Sequence, residues 1–112
     1  MPKITLKSLQ CILNDEVDKD EVFLKLKGKK IWPSGKLYKQ INSGEKIEIN
    51  KSFDHEEGEM VLELWDFDFL SKNDKFGEFR AKIDSEKGGF VTGLKLTREG
   101  STASYMLEWE CR

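Results

Sequence analysis

The stretch LWDFDFLSKNDKFGEF, Leu64 to Phe79, ends an apolar run in Asp66, Asp68 and Asp74, with Phe69 and Leu70 set bare among them. Carboxylates supply hard oxygens, of which Ca²⁺ takes roughly six to eight at a time. Three readings compete. A solvated acidic turn needs no ligand, because aspartate is a common turn residue. An EF-hand loop needs Asp or Asn at its fifth position, Gly at its sixth and Glu at its twelfth. Counted from Asp66, those places hold Leu70, Ser71 and Gly77, so that motif fails. The third reading is a calcium site shared between loops, since one short turn rarely fills a shell. A second acidic loop exists in NDEVDKD, Asn14 to Asp20. If both loops leave one end of the fold, Asp15, Asp20, Asp66, Asp68 and Asp74 converge. Carboxylates gathered in this way repel one another, and the cluster makes sense mainly with a cation in it.

The elements that must position these loops read as strands. Val22, Leu24 and Leu26 alternate with Phe23, Lys25 and Lys27; Met60, Leu62 and Leu64 alternate with Val61, Glu63 and Trp65. Ile47 and Ile49, then Phe79, Ala81 and Ile83, then Tyr105, Leu107 and Trp109 repeat the period of two that marks a half-buried strand. The first segment changes phase: Ile4 and Leu6 share one parity, Leu9, Cys11 and Leu13 the other, which predicts a bulge near Ser8. Turn signals separate the segments at Asn14 to Asp20, Pro33-Ser34-Gly35, Asn42-Ser43-Gly44, His55 to Gly58, Ser71 to Asp74, Gly88-Gly89 and Gly100-Ser101. The expectation is an all-β chain, an antiparallel β-sandwich of about eight strands, with no helix, repeat or linker.

Composition narrows the function. The chain has 112 residues, which suits a single domain spanning residues 1–112. Charged residues make up 36% and apolar ones 38%, a balance that buries a core. A net charge of −2 argues against a general nucleic-acid binder. The N-terminus lacks a signal peptide's apolar block and no run approaches a membrane span, so the expectation is a cytosolic protein. Cys11 and Cys111 are far apart and read as free thiols, with no zinc pattern. The one histidine, His55, lies in a polar stretch and reads as a solvated loop residue; with no nucleophile elbow or phosphate loop, an enzyme is not expected. Trp32, Trp65 and Trp109 read as packing residues.

DFDFLSKNDKFGEF, with Asp-Phe-Asp, the spacing on to Ser71 and Asp74, and then Gly77-Glu78-Phe79, resembles the third calcium-binding loop of the C2 domain family. These are the membrane-targeting modules of protein kinase C, synaptotagmins and phospholipases. DKDEVFLKLKG is similar to the exit of the family's first loop, although Asp20-Glu21-Val22 stands where Asp-Pro-Tyr is usual. The resemblance implies Asp15, Asp20, Asp66, Asp68 and Asp74 as calcium ligands, with the Phe67 carbonyl and the Ser71 hydroxyl helping and Asp18 as a substitute for Asp15. It also implies the permuted, type II strand arrangement, because the chain starts on the strand feeding loop one and ends on an extra strand. In that arrangement the last strand runs antiparallel to the first, and Cys11 and Cys111 lie too far apart for a disulfide.

The same resemblance implies a partner. Phe69 and Leu70, at the apex of loop three, would enter an anionic phospholipid membrane, each contributing roughly 1.5–3 kcal/mol when buried. Lys72 and Lys75 would face the lipid beside them. The five aspartates outnumber Lys19, Lys72 and Lys75, so the tip is net negative until calcium reverses its sign. Lys25, Lys27, Lys29 and Lys30, joined by Lys36 and Lys39, read as the wet face of a strand; the resemblance adds a phosphoinositide head-group patch. The rival expectation is a C2-like structural or protein-interaction module of a larger assembly, with calcium gating the contact or absent.

Overall fold

The computed structural model describes residues 1–14, 19–97 and 102–112. Among the described residues ten strands run in chain order: β1 Lys3–Leu13, β2 Asp20–Leu26, β3 Lys29–Trp32, β4 Lys39–Ile41, β5 Lys46–Asp54, β6 Gly58–Asp66, β7 Asp74–Ile83, β8 Gly88–Gly93, β9 Lys95–Leu96 and β10 Ser104–Cys111. The expected count of eight is exceeded by short strands. β4 and β9 span three and two residues, too few for an alternation to register.

One sheet has the order β5-β1-β10-β8, the other β3-β2-β6-β7-β9, with β4 also paired to β2, and every pairing is antiparallel. The inward residues of both sheets form one core, with Ile4, Leu6, Leu9, Leu24, Leu62, Leu64, Phe76, Phe79, Tyr105 and Leu107 all buried. This is the expected sandwich, and β10 lies between β1 and β8 as the permuted arrangement requires. Cys11 faces Tyr105 and Cys111 faces Ile4, so the thiols sit at opposite ends of one ladder, free and buried.

The phase change in β1 is a bulge. The register slips between Leu6 and Ser8 against both neighbouring strands, which keeps Ile4, Leu6, Leu9 and Cys11 all inward. A second slip between Cys11 and Leu13 carries Leu13 out of the core, contrary to its parity in the sequence. β7 has an irregularity of its own opposite Leu64 and Trp65, and the extra residue, Phe76, turns inward.

Two further readings are corrected. His55 is buried rather than solvated: its amide donates to the Pro2 carbonyl at 3.0 Å, and Nδ1 lies 2.7 Å from the Glu56 carbonyl. Gly88-Gly89 opens β8 rather than forming a turn, because both glycines pair with the end of β10. Gly100-Ser101 lies outside the described residues. The tryptophans divide: Trp32 and Trp109 are in the core, whereas Trp65 is half-buried on the outer face, stacked on Phe23.

Candidate metal and membrane loops

β1 leads into the segment before β2, and β6 leads through residues 67–73 into β7. In the ladder, Asp66 pairs with Val22 on one side and with Asp74 on the other, and Asp20 lies two residues before Val22. Asp20, Asp66 and Asp74 are therefore strand-end residues of three neighbouring strands at one end of the sheet. Asp20 shares the inward parity of Val22 and Leu24, and Asp66 that of Leu62 and Leu64, so both carboxylates are buried between the sheets at their mouth.

Each acid is held by named donors. Asp20 Oδ2 accepts from the Tyr105 hydroxyl at 2.5 Å. Burial, and then Asp20 itself, pushes the Tyr105 phenol far up, so it stays a donor, and burial also raises the Cys11 thiol beside it. Asp66 Oδ1 accepts from the Glu21 amide at 3.0 Å, while the Phe67 amide donates to the Glu21 carbonyl at 2.7 Å, stitching β6 to β2 beyond the ladder. Asp68 accepts from the Leu70 amide and the Ser71 hydroxyl, both at 2.8 Å. These two bonds, the Leu70 amide first, hold the Asp68 carboxyl below the usual carboxylate range. The Asp68 amide in turn donates to Asn73 Oδ1 at 2.9 Å, so the loop closes on itself.

Leu70 is 97% exposed and Phe69 73% exposed. Leu70 forms the bare tip. Phe69 leans edge-on against Phe67 at 4.9 Å and Tyr38 at 6.5 Å, and Tyr38 stacks on Phe67 at 5.2 Å. Lys72 is exposed, but Lys75 is drawn onto the outer sheet face between Glu63 (2.9 Å) and Glu78 (2.8 Å).

The basic strand is partly engaged. Lys25 lies 4.3 Å over the Trp65 ring, a cation–π contact, and faces Lys30 across the hairpin. Lys27 pairs with Glu56 at 3.4 Å, Lys30 donates to the Lys36 carbonyl, and Lys29 is exposed. Lys27 and Gly28 both take positive φ, 51° and 80°, which makes the tight turn between β2 and β3.

Asp15 and Asp18 lie outside the described residues. Among the described residues, no group of three or more His, Cys, Asp or Glu side chains stands close enough to hold a metal. The donors this end does supply, the carboxylates of Asp20, Asp66, Asp68 and Asp74, the Ser71 hydroxyl and the Phe67 carbonyl, are hard oxygens that suit Ca²⁺ rather than a softer metal. No signal in the sequence pointed to Tyr105, which reads there as one more inward strand residue. Glu21 and Asn73 also escaped it: Glu21 acts through its backbone, and Asn73 reads as an ordinary turn residue.

No protein family's sequence profile and no curated protein matches the chain. Solved structures do. A C2 domain of plant extended synaptotagmin 1, the one designated A, superposes with a TM-score of 0.59 at 15% identity, over 99% of this chain and 92% of that one. The chain has a C2 fold. Human GIVD cytosolic phospholipase A2 superposes with a TM-score of 0.52 at 15% identity; 98% of this chain is covered, but only 16% of the phospholipase. At this identity the likeness concerns the C2 scaffold alone. Among the described residues no helix is long and apolar enough to cross a membrane.

Proposed function

We propose that this C2 sandwich is a calcium-binding module, not an enzyme, that docks on anionic phospholipid membranes through loops one and three. The observation that carries the reading is the exposure of Phe69 and Leu70 on a loop bounded by Asp66 and Asp74 and closed around Asp68. Two adjacent large apolar side chains on one acidic loop fit a surface that is apolar below and anionic above. Asp15, Asp20, Asp66, Asp68 and Asp74, with the Phe67 carbonyl and Ser71, would hold the ion. The chemistry it supplies is charge, which turns a tip that repels anionic lipid into one that attracts it. Leu70 then enters the acyl boundary with Phe69 behind it, Lys72 meets lipid phosphate, and the lysines of β2 and β3 add attraction from the side.

One observation favours a second reading. Asp68 and Asp20 already accept hydrogen bonds from Leu70, Ser71 and Tyr105, so part of the acidic end is satisfied without a cation. That would suit a protein-interaction module that offers Phe69 and Leu70 to a partner. Calorimetric titration with Ca²⁺, followed by co-sedimentation with phosphatidylserine-containing vesicles in calcium and in chelator, separates the two. Heat of binding and calcium-dependent sedimentation support the first. A silent titration with no sedimentation leaves the second.

A further inference from the structure

We infer that Tyr105, on the last strand, is the positioning residue for the loop-one carboxylate Asp20, so that the acidic mouth of one sheet is built on a side chain of the other. The inference rests on the calcium reading above and names a part of that site. Asp20 opens β2 with its side chain inward and 0% exposed, and Tyr105 stands near the start of β10, facing Cys11 of β1. The 2.5 Å bond from the Tyr105 hydroxyl to Asp20 Oδ2 therefore crosses from one sheet to the other at the loop end.

A carboxylate turns freely about its terminal torsion, which has broad wells, and one oxygen committed to a donor sets its plane. The donor here is itself packed in the core. The Tyr105 ring is 1% exposed and stacks on Phe76 at 6.1 Å, and Phe76 is the extra inward residue of β7. Asp20 has further partners besides Tyr105, so the phenol orients the group rather than holding it alone. Groups that orient a metal ligand from behind are typically worth about ten- to a hundredfold in metal affinity.

Tyr105→Phe removes the hydroxyl and keeps the ring on Phe76. It should bind Ca²⁺ about tenfold or more weakly than wild type by calorimetry, without lipid. Thr92→Val is the control: it takes the acceptor from the Trp109 indole N–H (2.9 Å) lower on the same strand, so it loosens β10 away from the mouth. It should bind Ca²⁺ as wild type does. Equal affinity in Tyr105→Phe and wild type, or equal loss in both variants, overturns the inference. A wild type that binds no Ca²⁺ at all is a different failure, that of the calcium reading, and the inference falls with it. If Tyr105→Phe does not fold, the wild type decides alone: a short, buried O–H···O bond should give a resolved downfield Tyr105 hydroxyl proton that moves on adding Ca²⁺. A resonance that stays in place at saturating Ca²⁺ overturns the inference.

Discussion

Asp66 and Asp68 each combine a charge with a hydrogen-bonding duty, and the two can be separated. Asparagine keeps an oxygen to accept from the Glu21 amide at position 66 or the Leu70 amide at position 68, while removing the charge. Asp66→Asn and Asp68→Asn should therefore each weaken Ca²⁺ binding at least about tenfold, and without calcium should leave the melting temperature unchanged or slightly raised. Identical calcium isotherms for the double variant and wild type would remove the metal site. Lys75 tests a different charge. Its ammonium, foremost among the causes, holds the Glu63 and Glu78 carboxyls below their usual range. Folded values below the unfolded ones mean that the stabilisation is present above the ordinary carboxylate range and is lost as pH falls through the folded values. Lys75→Met should cost about 1–2 kcal/mol at pH 7, with melting curves that converge on wild type as pH falls through the lowered range of the two carboxyls. Parallel melting curves across that acid range would show that the pair contributes nothing.

Among elements, the strands with several alternating pairs could be read directly from the sequence. Met60 to Leu64 and Tyr105 to Trp109 sit inward as their period demands, and the β1 phase change at Ser8 is a bulge. What escaped has a common cause: contacts between residues distant in sequence. Tyr105 meets Asp20 from across the sandwich, Pro2 bonds the His55 backbone, and β4 and β9 exist because longer strands offer them an edge. The candidate site divides the same way. Loop three could be read because its acids are local, whereas the bonds that hold each acid could not. Gly77 carries an element-level prediction. A Cβ there would stand 2.2 Å from the Lys95 carbonyl oxygen, a backbone atom that cannot swing aside. Gly77→Ala should push β9 off β7 at a cost of about 1–3 kcal/mol. Amide exchange checks this: protection should drop first at Thr97, whose amide donates to the Phe76 carbonyl next to Gly77.

The whole molecule is a rod 41 Å long and about 25 Å across, and Asp20, Asp66 and Asp74 lie together at one end of one sheet. Replacing Phe69 and Leu70 together by alanine should leave lipid-free calcium affinity unchanged, because neither side chain carries a ligand. Binding to anionic vesicles should fall about a hundredfold if some ~3 kcal/mol of apolar burial is lost. The remainder should be electrostatic and should fade as salt rises to physiological strength, where the Debye length is about 8 Å. Co-sedimentation across a salt series measures both effects, and a double variant that binds like wild type at every salt would turn Phe69 and Leu70 into a protein contact. The ladder between β1 and β10 has a mechanical consequence. Lys3 and Arg112 bond each other through both their backbone amides, while Cys11 and Tyr105 pair near the far end of the same ladder. Tension applied to Lys3 and Arg112 loads the hydrogen bonds one rung at a time, as a zipper does, rather than shearing all of them together. The Tyr105 rung, under the acidic mouth, is among the last to part, so a pull at the tail frays the sandwich well before it reaches the end where Asp20 and Asp66 are buried.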